Sequence, residues 1–358
     1  MGTEDRRDKG KLEKGALNQN SQSDSSELLA SVTRSGIYES SHRGHLIVTD
    51  GSSEPLIRMG NPETVTFIRS AAKPFQLIPC LLAGAAEYFG FTEKEIALAC
   101  ASHSGEDMHT SIAEQMLDKI GLQEADLGCG THLPFFEKKS REMIHTGERP
   151  TQLHNNCSGK HAAMLAFAKK IGADTKTYLE NSNPIQRQIL ECMAEFAEID
   201  IGAIGIGVDG CSAPNFSMPI SAMANSFLRL VAPPVHLEPA KHEACGRIVD
   251  AMIKYPEVIG GTDRLDTLVM KAAEGRAVCK VGAEGVWLCG VLPSQRWPRG
   301  LGIGLKIEDG EEKRARTVVA VALLKHLGVI DDGALPELSP MKIHTRKRVV
   351  VEIGRAHV

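Results

Sequence analysis

The chain has 358 residues, a formal net charge of −4, 42% hydrophobic and 4% aromatic residues. A near-neutral balance with few aromatics and no basic stripe excludes the usual signature of a nucleic-acid or membrane-surface protein. The length is ample for one large unit, or two intimately packed ones, around a buried core.

Residues 1–27 (MGTEDRRDKGKLEKGALNQNSQSDSSE) are polar, charged and almost free of large apolar side chains. Such a stretch cannot bury enough surface to offset the entropy of ordering, so it reads as a disordered tail. It lacks the apolar stretch of a secretory signal, and Arg6 breaks the N-myristoylation pattern. Next, HLIVTD (45–50) and EPLIRMG (54–60) flank a turn at Gly51 and predict an antiparallel hairpin. FIRSAAKPFQLIPCLLAG (67–84) reads as a strand end running into an apolar helix, with Pro74 in the opening turn where a missing N–H costs little.

Helical signals fill the middle. Thr92 and Glu95 form a capping box ahead of IALACA. TSIAEQMLDKIG (110–121) and SGKHAAMLAFAKKIG (158–172) have helical spacing, and Asn183–Pro184 supplies a cap with proline at the first helical position. Two further helices are predicted within 219–231 and 239–254. Strand-like runs return in AVCKVGAEGVWLCGVL (277–292), GLGIGLKIEDG (300–310) and KRVVVEIG (347–354), with a helix over 311–327 between the last two. The basic run KRAR (313–316) is expected on a solvated helix face. The expected class is therefore α+β: one antiparallel sheet built from both chain ends (about 28–66 and 275–358), packed with helices, with a largely helical middle at 67–274. Residues 28–358 form a single unit in this reading. No apolar run reaches the ~18 residues of a membrane-spanning helix. Nine cysteines, an odd number without close pairing, favour free thiols and a cytoplasmic location.

The chemistry-bearing residues begin with Ser70 and Lys73. Positions i and i+3 share a helix face, so the two can touch, and a lysine amine can act as base if burial or a neighbouring cation lowers its pKa. Two other elements run in parallel: ASHSGED (101–107), with Ser102, His103, Ser104 and Glu106 in a polar loop after a capped helix, and CKVGAEGVW (279–287), with Lys280 on a strand. The order Ser-x-x-Lys, Ser-x-Ser, Lys-x-Gly parallels the three motifs of the serine β-lactamases and penicillin-binding proteins.

Together, ESSHRGH, RSAAKPFQ, ALACASHSGE, CGTHLP, LHNNCSGKHA, VDGCSAP and KVGAEGV resemble the rhizobial-type L-asparaginase family, the third structural class of asparaginases. The motifs run in family order from about residue 30 to 307. The resemblance implies a serine β-lactamase/glutaminase-like fold, a homodimer, and hydrolysis of L-asparagine to L-aspartate and ammonia through an acyl-enzyme. It makes Ser70 and Lys73 one serine–lysine pair and Ser102 and Lys280 the other, with Lys73 deprotonating Ser70 and the second pair moving protons. Arg69, His161 and Asp209 would line the substrate site, with Thr262 and Arg264 of GGTDRLD as further candidates. Val281 stands where the family has threonine, so no hydroxyl contact comes from that position, and Ala72 stands for an inert cysteine. Backbone N–H groups at the start of the Ser70 helix are natural oxyanion donors.

Two metal readings compete. Cys129-x-x-His132 with His154-x-x-Cys157 has zinc-ligand spacing but no other zinc-ribbon feature. The resemblance instead implies zinc on Cys157, Lys160 and Cys211, serving to position substrate rather than to activate water. Cys80, Cys100, Cys192, Cys245, Cys279 and Cys289 are expected in the core. His42 and His45 either order the first turn or line the site. A serine-type glutaminase, a β-lactamase-like amidase and a non-catalytic amino-acid-binding module are the alternative functions.

Overall fold

Both ends of the chain supply strands to one antiparallel sheet. The structure, a computed structural model, describes residues 25–344, 346–347 and 350–358. The expected disordered tail therefore lies, over residues 1–24, outside the described residues. Strands β1 (Glu27–Arg34), β2 (Ile37–Thr49) and β3 (Ile57–Met59) come from the start of the chain. Strands β7 (Ala277–Val281), β8 (Val286–Val291), β9 (Leu301–Ile307), β10 (Met341–His344) and β11 (Val350–Ala356) come from its end. Their order is β10-β11-β1-β2-β9-β8-β7, with β3 paired to β2. The expected hairpin is present, with Leu46 opposite Met59 and Val48 opposite Ile57. The ends of the chain meet twice, where β1 pairs with β11 and β2 with β9.

β7 and β8 contain no exposed position, which explains why they read as continuous apolar runs rather than as alternating ones. Helix Ile220–Val231 packs on β8 and β9, and helix Val318–His326 on β11 and β1. Helix Lys73–Leu82 is buried over nine of its ten residues among helices Ser158–Ile171 and Pro184–Ala197. The Thr92–Glu95 capping box forms, and Asn183 Oδ1 accepts from Ile185 N at 3.1 Å. Buried apolar side chains from sheet and helices join in one dominant cluster, which includes the six cysteines expected in the core. Among the described residues, no helix is long and apolar enough to cross a membrane.

Three features depart from the sequence reading. A second sheet joins β4 (Val65–Phe67), the strand end read ahead of the Ser70 helix, to β6 (Pro214–Pro219) and β5 (Gly205–Val208), which both lie within the stretch read as helical. It is short, glycine-broken in β5 and bounded by prolines in β6, so it carries no strand periodicity. β10 was also unread, being four residues just after Pro340. Finally, the 311–327 helix opens with a π turn over Glu312–Thr317, closed by Arg316 N donating to Glu311 O at 3.1 Å, before the α-helix begins at Val318. This wider turn carries Arg316 inward, so KRAR is not uniformly solvated: Lys313 is exposed, but Arg316 is only 4% exposed.

Candidate active site

Ser70 sits where β4 hands over to the helices. Ile68 N donates to Phe216 O, and Arg69 adopts φ +55°. A left-handed conformation at a non-glycine residue costs about 1–3 kcal/mol and persists only when the surroundings hold it. Here Asn215 Oδ1 accepts from Arg69 N at 3.1 Å, and Asp209 Oδ1 accepts from the Arg69 guanidinium, with both Nε and Nη2 at 2.9 Å. A 3₁₀ turn over Arg69–Ala72 then feeds helix Lys73–Leu82. Ser70 is half-buried, and its backbone N–H has no partner among the described residues, as the early amides of a helical turn leave it.

Lys73 and Lys280 are among the largest fully buried side chains of the protein. Lys73 Nζ lies 2.5 Å from Ala101 O, 2.8 Å from Ser102 Oγ and 3.3 Å from Asn156 O. Burial lowers its pKa from the ordinary lysine value, and Lys160 and Lys280 push the same way against Cys157. The two carbonyls and the Ser102 hydroxyl oxygen take the three N–H donors of the protonated amine; once that amine loses a proton, its lone pair faces the Ser102 O–H.

Lys280 is held differently. Its Nζ donates to Asp266 Oδ2 at 2.9 Å and to Val281 O at 3.3 Å, and both Asp266 oxygens also accept from Val281 N at 3.0 Å. Both members of this ion pair are essentially inaccessible. The lysine on Ser102 is thus Lys73, across from the expected Lys280. Ser70 and Ser102 both line a cavity of about 300 Å³, with Phe135, Asn156, Arg264 and Arg316 among its walls. Val281 lines it as well and, as its side chain requires, brings no hydroxyl.

Beneath the Arg69–Asp209 pair lies a sulfur–lysine cluster. The neighbouring Cys211 raises the pKa of Cys157, while Cys157, Lys160 and His161 together lower that of Cys211. Lys160 Nζ donates to Cys211 Sγ at 3.1 Å. Burial works against the Lys160 charge, but the Cys211 and Cys157 sulfurs outweigh it and raise its pKa. His161 Nδ1 is 2.6 Å from Tyr178 OH, which itself accepts from Gly128 N at 2.7 Å, so the phenol donates to His161 and leaves the proton on Nε2, beside Cys211. Among the described residues no group of three or more His, Cys, Asp or Glu side chains is placed to hold a metal ion. The set expected for zinc is therefore two sulfurs and an amine: thiolate sulfur suits zinc, the Lys160 contact favours the anionic form of Cys211, and Lys160 has to lose its proton to become a ligand. In the competing set, His154 Nδ1 accepts from Thr151 N at 3.1 Å, His132 Nε2 from Asn156 N at 3.0 Å, and Cys129 donates to Gln152 O at 3.6 Å.

Of the remaining candidates, Thr262 is exposed and bonds Glu106 through its N–H (2.7 Å) and hydroxyl (2.8 Å), while Arg264 stacks over Phe135 at 5.5 Å in the serine cavity. His42 and His45 are buried away from the serines, His42 on Asp309 at 2.7 Å and His45 accepting from Asn61 N at 3.0 Å. Sequence reasoning missed Asp266, Tyr178, Asn156 and Arg316. A lysine buried in a strand does signal a carboxylate partner, but nothing in the order of residues says that Asp266 is the one.

The family model described as L-asparaginase II matches residues 30–358. No curated protein matches the chain. Similar solved structures include a probable glutaminase from Bacillus subtilis complexed with 6-diazo-5-oxo-L-norleucine, at 14% identity over 80% of this chain and 83% of that one, TM-score 0.40. A Bacillus glutaminase in 4.3 M NaCl gives 15% identity, 80% and 89% coverage and TM-score 0.38. The family match spans both serines, both lysines, the sulfur cluster and all but the first three residues of the described sheet, and the chain belongs to the L-asparaginase II family.

Proposed function

We propose that the protein is an amidohydrolase of L-asparagine, releasing L-aspartate and ammonia through an ester on Ser70. The observation that carries this reading is the buried amine of Lys73, held 2.8 Å from Ser102 Oγ, which lines one cavity with Ser70, with burial lowering the lysine pKa. In the proposed sequence Ser102 passes the Ser70 proton to Lys73 as Ser70 Oγ bonds the side-chain carbonyl carbon. The Ser70 N–H receives the oxyanion. Lys73 returns the proton to the amide nitrogen, the C–N bond breaks and ammonia leaves; water then cleaves the ester by the reverse relay. The Lys280–Asp266 pair keeps a fixed dipole behind Ser102. Arg69 and Asp209, paired with each other beside Ser70, form the charged wall for the ammonium end of an amino acid, and His161 orders that wall. The Thr262 backbone holds its loop against the cavity.

Cys157, Lys160 and Cys211 would hold zinc, which when bound supplies a fixed positive charge that orients the substrate. Metal analysis of the purified protein tests this part: absence of zinc, with substrate affinity unchanged by chelation, overturns it. A homodimer and a cytoplasmic location complete the reading, the former checked by light scattering. The central test is ammonia release from L-asparagine beside L-glutamine. Wild type should favour asparagine, and Ser70→Ala should abolish turnover and the acyl-enzyme mass. Substantial residual hydrolysis by Ser70→Ala overturns the assignment of the nucleophile, and a preference for glutamine overturns that of the substrate.

A further inference from the structure

The serine cavity has a second charged wall. Neither Arg69 nor Asp209 lines the cavity that Ser70 and Ser102 share; its cations are Arg264 and Arg316. Arg316 is 4% exposed and comes from the π turn at Glu312–Thr317. Its Nη1 donates to Gly282 O at 2.9 Å, and Nη1 and Nη2 pair with Glu312 at 3.1 and 3.2 Å. Its Nε is buried without a hydrogen-bond partner. A guanidinium presents five N–H donors, so this side chain keeps donors unspent. Arg264 has no ion-pair partner among the described residues; it lies over the Phe135 ring, which fixes the plane of its fork. Glu312 offsets one of the two positive charges and the other remains. Asp266, which approaches the same wall, is already matched by Lys280.

We propose that Arg264 and Arg316 form a carboxylate-binding subsite facing Ser70 and Ser102, separate from the Arg69–Asp209 pair. Planar guanidinium forks match carboxylates in a bidentate way, and a partly dry cavity strengthens the contact. Two carboxylates could reach it: the α-carboxylate of the substrate, or a carboxylate on the leaving amine of a longer β-aspartyl amide. In the second case one water is consumed, the C–N bond breaks, and an amino acid leaves in place of ammonia. The turnover arms below rest on the amidohydrolase reading, but the binding arm does not.

For binding, calorimetry uses β-aspartylglycine as the probe, because it carries both carboxylates, on the inert Ser70→Ala chain. Adding Arg264→Gln or Arg316→Lys is expected to weaken binding at least tenfold. No binding by the Ser70→Ala parent, or affinities within twofold in both variants, overturns the subsite. Thermal midpoints check folding, and Arg316→Lys keeps a cation able to reach Gly282 O. Turnover assigns the source. If Arg264→Gln raises KM for L-asparagine with kcat nearly unchanged, and 3-aminopropanamide, which lacks the α-carboxylate, shows no such difference, the α-carboxylate occupies the subsite. If only β-aspartylglycine hydrolysis is lost, the leaving-amine carboxylate does. A fall in kcat for every substrate with KM unchanged overturns the proposal.

Discussion

Lys73 is the residue whose burden can be measured most directly. Its amine is desolvated, so its pKa in the folded chain lies below the value of about 10.4 that an unfolded lysine keeps. Between those two values the unfolded chain binds one more proton than the native one. Stability contributed at this position therefore rises with pH across that window, and below it the cost of burying the ammonium is fully present. Compared with Lys73→Met in urea unfolding at a series of pH values, wild type should gain relative stability as pH rises towards about 10, with a slope of no more than about 1.4 kcal/mol per pH unit. A flat difference would mean that the lysine is not perturbed. The same shift should place the ascending limb of kcat/KM below the ordinary lysine range. Lys73→Arg puts a guanidinium that cannot be deprotonated in the same place, and turnover should be lost.

At the scale of elements, two ties set the cavity. The first joins β7 to helix Leu265–Ala272 through Lys280 and Asp266. Removing one partner of a buried pair leaves an uncompensated charge, so Asp266→Asn should cost about 3–5 kcal/mol, read as a lower urea midpoint with an unchanged slope. The second tie is Glu106, which accepts from Ser104 Oγ at 2.7 Å and from Thr262, holding the 260–264 loop on the Ser102 loop. Gly261 makes that approach possible: it has φ +104°, and a Cβ there would lie 1.9 Å from Ser104 Oγ. Gly261→Ala should therefore displace the 260–264 loop from the Ser102 loop, lowering kcat/KM for L-asparagine at least tenfold in steady-state assays, with a smaller effect on thermal stability. Much of this scale was legible in advance. Capped helices such as Glu93–Ala99 and Pro184–Ala197 announce themselves because caps and periodicity are local chemistry. Ser70, Lys73 and Ser102 were legible as motif members. The partner of each was not: that Lys73 reaches across to Ser102, and that Asp266 takes Lys280, depends on segments brought together only by the fold. Arg316 was misread because a π turn rotates a side chain away from the face that a 3.6-residue period assigns to it.

For the whole molecule, the decisive seam is where the centre of the sheet meets helix Ile220–Val231. β9 pairs with β2 from the first part of the chain and with β8 from the last, so the seam fixes both ends of the chain against the helical middle. The backbone of the helix approaches β9 closely at Gly302, where a Cβ would stand 2.1 Å from Ala224 O. That contact is with backbone, which cannot rotate away as a flexible side chain could, so either helix or strand has to move. Overpacking of this kind costs about 1–3 kcal/mol even where side chains can adjust, and Gly302→Val should reach or exceed the upper end in urea unfolding. Because the sheet carries Lys280 and positions the serine cavity, activity should fall along with stability. Gly246 is the matched contrast. It lies exposed inside helix Pro239–Lys254 with nothing within 4 Å of an added Cβ. Gly246→Ala should stabilise the chain by about 0.5–1 kcal/mol through helix propensity and leave kcat/KM unchanged. Equal effects of the two substitutions would show that the helix does not bear on the sheet as closely as these distances require.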